Sequence, residues 1–407
     1  MTLRPVPDGG LHSVRGFQQQ GGHVGVKKKY PDVGLVASDR PCHVAATYTT
    51  NVVQAACVTV TRRHVAHGRV RGIVANSGCA NACTGEQGMR DAERMADIAA
   101  RAIGVRAEEI LVASTGVIGR YLPMGLLEEG IPTVAATLDR AEPGAFARAI
   151  MTTDTVPKES CFEVELGGTV VRIAGVAKGA GMIHPNMATM LAFLVTDAAV
   201  ADAWLRATWS RVVARTFNMI SVDGDTSTND MAIVLANGAA GNPVVGPGSP
   251  HAPLLEEALE AVARDLALRI VRDGEGARTL IETRVVNARS EAEAAAAARA
   301  VTRSNLVKTA VHGKDPNWGR IFAAAGYSGA RFDAGKADLF IGTDSSRAKV
   351  VENGMPVEGI DYADISRWMG TEKVVFVVDL KAGGASATAW GCDMSEEYVK
   401  INASYTT

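Results

Sequence analysis

Short apolar segments rich in β-branched residues recur along the whole chain and alternate with longer segments of helical periodicity. This alternation is typical of chains that pack helices against a β-sheet, so it predicts an α/β or α+β fold. The predicted strands are residues 70–75, 110–114, 170–176, 190–196, 231–235, 339–341 and 374–380. The predicted helices cover residues 95–103, 205–213 and 255–270, and a fourth begins at Ser290, where Glu293 completes a capping box.

The length and composition indicate a large core. The chain has 407 residues, of which 47% are hydrophobic, so two or three domains are expected. A Gly- and Pro-rich stretch at 241–253 is the predicted surface linker.

Charge and hydropathy exclude several classes of partner. The 42 basic and 44 acidic residues give a net charge of −2, which argues against a nucleic acid or a membrane surface as the main partner. The sequence has no apolar stretch of the roughly 20 residues that span a bilayer. The first ten residues, MTLRPVPDGG, lack the apolar core of a signal peptide, so we expect a cytoplasmic protein.

Cysteines and histidines give little sign of a metal centre. The six cysteines are scattered without a CxxC pair, which favours free thiols in a reducing compartment. His64 and His67 could ligate a metal, but no helix-borne glutamate motif accompanies them. The phosphate-loop and GxGxxG motifs are also missing, so we expect no metal and no nucleotide cofactor.

Four glycine-containing clusters follow apolar segments and are candidates for ligand contact. Glycine lets the backbone turn tightly and lets a ligand approach the amides, although each cluster is also compatible with a plain turn. The clusters are residues 114–116, 178–181, 223–226 and 273–276.

Thr189 lies where a loop with glycines and a proline gives way abruptly to the predicted strand 190–196. A threonine there is ordinarily a strand former. Its hydroxyl could instead attack the preceding carbonyl, convert the Ala188–Thr189 peptide into an ester and leave, after hydrolysis, a free α-amine. That amine titrates near roughly 7.7–8.0 and could act as general base for its own hydroxyl.

The segment KGAGMIHPNMATML at 178–191 closely resembles the self-processing site of the ornithine acetyltransferase family. The resemblance covers nearly the whole chain. Further matching segments are TTN at 49–51, NACTGEQG at 81–88, STGVIGR at 114–120, IMTTDTVPK at 150–158, FNMISVDGDTSTND at 217–230, DGEGA at 273–277, LVKTAVHGKDPNWGRI at 306–321 and GCDMSEEYVKINASYTT at 391–407.

This resemblance implies an α/β fold in which the first residue of a processed chain is the nucleophile. N-terminal-nucleophile hydrolases and the related aminopeptidases share this feature. It implies an α chain of residues 1–188 and a β chain of residues 189–407, with roughly 284–400 as a smaller C-terminal α/β domain. Family members assemble as heterotetramers of two α and two β chains. They move an acetyl group from N2-acetylornithine to glutamate in arginine biosynthesis, and some also accept acetyl-CoA as co-substrate.

The resemblance also assigns roles to individual residues of this sequence. Thr189 matches the nucleophile, and cleavage is expected between Ala188 and Thr189. Thr115 and Gly116 match the oxyanion pair, which would offer a hydroxyl and a backbone amide to a tetrahedral intermediate. The positions that match substrate contacts are Thr155, Lys178, Thr189, Glu275, Asn402 and Thr407.

The residue types suit substrates that are amino acids. Lys178 can pair with a carboxylate and would lower the pKa of a nearby amine, and Glu275 can hold an ammonium group. One position departs from the family pattern, because Cys79 stands where the family usually has asparagine. A thiol is a weaker hydrogen-bond partner than an amide, so the local geometry around Cys79 is expected to differ.

Two other functions remain open from the sequence. The chain could be an aminopeptidase or amidohydrolase that uses the same N-terminal nucleophile, although Glu275 and the 402–407 tail belong to the acetyltransferase pattern. It could also be a non-catalytic binding paralogue, but a dead copy has no need of a cleavable junction.

Overall fold

A computed structural model describes residues 3–184 and 190–404. These residues form a mixed α/β structure with two sheets, which confirms the predicted fold class. The strands are β1 (Arg4–Pro5), β2 (Phe17–Gly22), β3 (Val33–Tyr48), β4 (Val70–Cys79), β5 (Ile110–Val117), β6 (Lys158–Leu166), β7 (Thr169–Lys178), β8 (Leu191–Thr196), β9 (Ile220–Ser221), β10 (Met231–Ala236), β11 (Leu280–Ala288), β12 (Asp338–Gly342), β13 (Arg347–Glu352), β14 (Met355–Pro356), β15 (Lys373–Asp379) and β16 (Ala385–Cys392). The α-helices are α1 (Ala56–Ala66), α2 (Gly85–Ile103), α3 (Met124–Ala135), α4 (Ala145–Ile150), α5 (Asp202–Arg215), α6 (Ala252–Arg272), α7 (Glu291–Arg303), α8 (Asn305–His312), α9 (Trp318–Gly326), α10 (Tyr362–Met369) and α11 (Glu396–Ala403).

The described residues form two compact units. The first unit comprises residues 3–179, 190–218 and 226–267, and the second comprises residues 180–184, 219–225 and 268–404. The first contains the larger sheet and the second contains the smaller one.

The nine-stranded sheet of the first unit has the order β1-β6-β7-β8-β10-β3-β4-β5, with β2 paired to β3. Strands β8 and β10 lie side by side and parallel near the middle of this order, and all of their residues are buried. Parallel strands that are covered on both faces read as continuous apolar runs, which is why LAFLVT and MAIVLA could be recognised from the sequence.

Strand β3 is a long strand that the sequence did not reveal. It spans 16 residues, and the polar triplet Asp39-Arg40-Pro41 in its middle has the composition of a turn. The structure places these residues at an irregularity between Ala37 and Cys42, where pairing with β4 shifts register. Beyond it, β3 pairs antiparallel with β10.

The four predicted helices are confirmed by α2, α5, α6 and α7. The capping box at Ser290 is only half formed. The Ser290 hydroxyl accepts from the Glu293 amide at 3.2 Å, but the Glu293 carboxylate pairs with Arg331 instead of returning to the cap. The predicted linker 241–253 lies inside the first unit, and its last residues already belong to α6.

The seven-stranded sheet of the second unit has the order β14-β13-β12-β15-β11-β16-β9. Within residues 3–184 and 190–404, every helix is too short or too polar to cross a bilayer. In the same ranges, the structure has no group of three or more His, Cys, Asp or Glu side chains placed to hold a metal. The ring Nδ1 of His64 lies 2.7 Å from the carbonyl of Ile110, and the six cysteines are free thiols.

Candidate active site

Thr115 and Gly116 lie where β5 ends beside β4. The two strands are parallel, with Ser77 opposite Thr115 and Gly78 opposite Gly116. The register shifts at the next residue of β4, so both strands lose regular pairing at this point. Parallel sheets offer their ligand-binding groups at such carboxyl ends of strands. Thr115 is buried with 9% exposure.

Only glycine fits at position 116. Its φ of +131° lies outside the range of L side chains. A Cβ built there would lie 2.6 Å from the amide nitrogen of Cys79 and 2.7 Å from Cα of Gly78, and it would also clash with the carbonyl carbon of Gly78. The backbone at Gly116 is therefore pressed against β4, which limits how far its amide can move.

Lys178 brings a buried positive charge to Thr115. It is the last residue of β7 and lies opposite Leu191, the first residue of β8. Its ammonium Nζ donates to Thr115 Oγ1 at 3.4 Å, and its side chain is 8% exposed. The two residues are 63 positions apart, so the strand order of the sheet creates their contact.

Asp154 supplies a fixed negative charge close to Lys178. Its Oδ1 accepts from Lys158 Nζ and from the Gly179 amide, each at 2.6 Å. Burial alone would raise the pKa of this carboxyl, but the positive charges of Lys178 and Lys158 and these hydrogen bonds lower it to about 2. The Asp154 carboxyl is therefore ionised at neutral pH, and its hydrogen bond from the Gly179 amide holds the turn that follows β7.

Glu275 and Asn402 contact each other in the second unit. Asn402, on α11, donates from Nδ2 to Glu275 Oε2 at 2.6 Å and to the carbonyl of Tyr398 at 3.0 Å. Glu275 is 7% exposed, and its amide donates to Ala180 at 2.9 Å. The structure thus brings together two of the residues that the resemblance assigned to substrate binding.

Asp223 anchors the segment that precedes the predicted cleavage point. Its carboxylate accepts from the amides of Met182 and Ile183, the latter at 2.9 Å, and from the Tyr398 hydroxyl at 3.3 Å. Burial raises the pKa of this carboxyl. Met182 has a left-handed φ of 55°, a conformation that a non-glycine residue seldom adopts without such support.

Cys79 is a buried thiol that donates to the carbonyl of Arg120 at 3.3 Å. Burial raises its pKa, so the thiol stays protonated at neutral pH. A protonated, buried thiol is a poor nucleophile, and the hydrogen bond gives Cys79 a local structural role.

The other candidate residues divide into two groups. Thr155 is exposed on the loop between α4 and β6. The remaining candidates, Ala188, Thr189 and Thr407, lie outside the described residues.

Sequence reasoning missed two buried carboxyls, those of Asp154 and Asp230. Both lie within segments that carry the family resemblance, at 150–158 and 217–230. A sequence signal therefore existed, but it did not tell which polar residue in each segment is buried.

Comparisons with known proteins identify the chain's relatives. The family model described as ArgJ family matches residues 18–407. The Arginine biosynthesis bifunctional protein ArgJ of Symbiobacterium thermophilum is 53% identical over 98% of this chain and 99% of the relative. The protein of the same name from Caldanaerobacter subterraneus is 46% identical over 98% and 99%.

A solved structure of ornithine acetyltransferase complexed with ornithine, from Mycobacterium tuberculosis, is also similar. It is 35% identical and covers 46% of this chain and 100% of that chain, with a TM-score of 0.42. The family model spans almost the entire sequence, and the relatives match over almost their whole length. The chain belongs to the ArgJ family.

Proposed function

We propose that this chain is a self-cleaving acetyltransferase of arginine biosynthesis. It transfers the acetyl group of N2-acetyl-L-ornithine to L-glutamate and yields L-ornithine and N-acetyl-L-glutamate. The names of relatives that are 46–53% identical support the pathway. The observation that carries the chemistry is the buried end of β5, where Thr115 lies 3.4 Å from the Lys178 ammonium and next to the tightly held Gly116 backbone.

The first reaction is cleavage between Ala188 and Thr189. The Thr189 hydroxyl attacks the Ala188 carbonyl carbon, and the C–N bond breaks to leave an ester and a free amine. Water then hydrolyses the ester, which leaves a carboxylate on Ala188 and the hydroxyl and amine on Thr189. The chain becomes an α chain of 188 residues and a β chain of 219 residues (407 − 188).

The second reaction is acetyl transfer through an acyl-enzyme. The Thr189 amine takes the hydroxyl proton while Oγ attacks the acetyl carbonyl of acetylornithine. The hydroxyl of Thr115 and the amide of Gly116 stabilise the resulting oxyanion. The C–N bond then breaks, the proton passes to the leaving amine of ornithine, and the amine of glutamate takes the acetyl group from Thr189 in the reverse sequence.

Substrate recognition follows from the charges of the substrates. Lys178 pairs with the α-carboxylate that both amino acids share. Glu275 holds an ammonium group, and Asn402 orients Glu275 through the 2.6 Å hydrogen bond. Thr155 and Thr407 add hydroxyl contacts. We expect no tightly bound cofactor, and acetyl-CoA is a candidate second donor that the assay below compares with acetylornithine. The working form is a cytoplasmic heterotetramer of two α and two β chains.

Mass spectrometry of enzyme mixed with donor alone tests this function. Acetylornithine should add about 42 Da to the 189–407 piece and nothing to the 1–188 piece, because the acetyl group is held as an ester on the nucleophile. Glutamate should remove the label, and initial-rate plots at several donor concentrations should be parallel. Acetyl-CoA replaces acetylornithine in a parallel reaction to compare the two donors.

Thr189→Ala is the matched control, because it lacks the hydroxyl and should remain uncut and unlabelled. Intersecting plots without an acetylated 189–407 piece would refute the acyl-enzyme. An enzyme that releases acetate or cleaves peptide amides without passing the acetyl group to glutamate would instead be the N-terminal-nucleophile hydrolase.

A further inference from the structure

Two segments of the family pattern, 306–321 and 391–407, have no role in the proposed function apart from Asn402 and Thr407. Within the second unit, α8 of the first segment is bonded to the short stretch of the second segment that joins β16 to α11. The Lys308 ammonium donates to the carbonyl of Cys392, and the Met394 amide donates to the carbonyl of Lys308 at 3.4 Å. Helix α8 therefore holds the chain just before α11 begins.

His312, the last residue of α8, contacts carboxylates with both ring nitrogens. Its Nδ1 lies 2.9 Å from Asp393 Oδ2, and its Nε2 lies 3.2 Å from Glu396 Oε2. Both partners are acceptors, so each ring nitrogen makes its hydrogen bond by donating a proton. Glu396 is the first residue of α11, so a single side chain joins α8 to the start of that helix.

The two contacts of His312 differ in strength because the two carboxylates differ in exposure. The Asp393 side chain is 1% exposed, whereas the Glu396 side chain is 79% exposed. Exposed ion pairs contribute little to stability because water and salt screen them. A buried carboxylate that loses its partner is strongly destabilising, so the contact with Asp393 is the one that fixes the position of α11.

Asp393 connects His312 to the turn that carries Glu275. Its Oδ1 accepts from the amides of Arg278 and Thr279 at 2.7 and 2.9 Å, while its Oδ2 faces His312. The carboxylate therefore bridges the end of α8 and the backbone that follows Glu275.

A second contact fixes the start of α11 against the same turn. Ser395, the N-cap residue of α11, accepts from the Glu397 amide at 3.3 Å and donates to the carbonyl of Gly276 at 2.8 Å. Gly276 has a left-handed φ of +71°, and a Cβ built there would lie 2.6 Å from Ser395 Oγ and 2.8 Å from the Tyr398 amide nitrogen. The first turn of α11 is therefore packed directly against the residue that follows Glu275.

The position of α11 determines how Asn402, near the far end of the helix, meets Glu275. The Asn402 amide nitrogen donates to Glu275 Oε2 at 2.6 Å and to the carbonyl of Tyr398 at 3.0 Å. Both partners are acceptors, so both amide protons of Asn402 are used within the protein. A tilt of α11 about its start would move Asn402 and break the short hydrogen bond, and Glu275 would lose the group that orients it.

We propose that His312 and Asp393 are a positioning pair for substrate binding, which holds α11 against the 275–279 turn and so keeps Glu275 and Asn402 in the geometry that receives the substrate. This role rests on the proposed function, in which Glu275 holds an ammonium group. The pair takes no part in proton or acetyl transfer. Its loss should therefore weaken substrate binding and leave the chemistry at Thr115 unchanged.

His312→Ala tests the proposal through the separate effects on KM and kcat. The variant should raise KM for N2-acetylornithine by about 10- to 100-fold, the loss expected for one hydrogen bond to a charged group. Its kcat should change by less than about twofold, because the lost interaction serves ground state and transition state alike. Hydrogen exchange of residues 396–403, measured without substrate, should be faster than in the wild type.

His312→Asn and His312→Gln separate the two contacts of the ring. An asparagine amide nitrogen can take the place of Nδ1 and donate to Asp393, whereas a glutamine amide nitrogen can take the place of Nε2 and donate to Glu396. His312→Asn should restore most of the binding and His312→Gln should not, because the contact with Asp393 is the buried one. General destabilisation of the fold would not distinguish these two variants.

Lys381→Ala is the matched control in the second unit. Lys381 donates to Asp338, another buried carboxylate, at 2.7 Å. The control should also lower thermal stability, but KM and the exchange of residues 396–403 should stay at their wild-type values.

Three results of these measurements would overturn the proposal: an unchanged KM in His312→Ala, unchanged exchange of residues 396–403 in that variant, or equal recovery by His312→Asn and His312→Gln. A wild type that passes no acetyl group to glutamate would instead overturn the proposed function. The exchange measurement needs no substrate, so it would still decide whether His312 holds α11 in place.

Discussion

Gly116→Ala gives the sharpest test of the candidate oxyanion site. The added Cβ would meet three backbone atoms of Gly78 and Cys79 at distances well below the usual 3.5–4.0 Å between carbon atoms. None of these atoms is the end of a flexible side chain, so the backbone of β4 or β5 must move by about 1 Å.

The expected decrease in the free energy of unfolding is the sum of two contributions. Overpacking of this kind costs about 1–3 kcal/mol, and holding a non-glycine residue at a φ of +131° costs about 1–3 kcal/mol more. The sum of about 2–6 kcal/mol is large against a typical free energy of unfolding of 5–15 kcal/mol. A displaced amide should also lower kcat by roughly 100- to 1000-fold, as the loss of one oxyanion donor does.

Gly119→Ala is the matched control for this prediction. Gly119 also has a left-handed φ, +81°, but a Cβ there meets no atom within 4 Å. It should carry the conformational cost alone and keep kcat near the wild-type value. Urea denaturation and steady-state kinetics of both variants measure the two effects. If Gly116→Ala matches Gly119→Ala in both measurements, close packing against β4 does not hold the amide in place.

Three further predictions concern neighbouring groups. Thr115→Ala should lower kcat about 100-fold with little change in KM, measured by steady-state acetyl transfer, and unchanged turnover would remove the hydroxyl from the mechanism. Asp154→Asn should lower the free energy of unfolding at pH 7 by about 3–5 kcal/mol, because it breaks the buried ion pair between Asp154 and the 1% exposed Lys158. Since its folded pKa is depressed to about 2, the wild type should keep this contribution above pH 4 and lose it as pH falls towards 2, which denaturation at pH 7, 4 and 2 would show. Deleting 405–407 should leave cleavage intact but raise KM for both substrates, and an unchanged KM would remove Thr407 from substrate binding.

The strands that the sequence revealed are those whose burial is uniform. β8 and β10 are covered on both faces, so their apolar runs are continuous and easy to recognise. β3 was missed because Asp39-Arg40-Pro41 interrupts its apolar run at an irregular point of pairing. Residues that resemble a turn are tolerated there because the register shift leaves them outside the regular ladder.

The residues of the candidate site could be predicted from the sequence only in part. Thr115, Gly116 and Lys178 could be named from the family resemblance, although their proximity depends on which strands pair. The burial of Asp154 and Asp230 could not be read from the sequence. Residue type and spacing do not reveal whether a carboxyl is solvated, paired with a lysine, or buried with one oxygen that lacks a hydrogen-bond partner. Those properties are set by the neighbouring strands.

The position of β8 and β10 in the sheet has a consequence for how a cut molecule is assembled. Both strands belong to the stretch after residue 189, yet they are inserted between β7 and β3, which belong to the stretch before it. Six residue pairs join β7 to β8, and six join β10 to β3. A piece that began at residue 189 and was made alone would expose two unpaired, apolar strand edges, which favour aggregation. Synthesis as one chain removes this hazard, because the strands of each half pair with strands of the other half as the chain folds. Cleavage afterwards would yield two polypeptides whose strands share one sheet. Denaturant would separate them, but dilution would not.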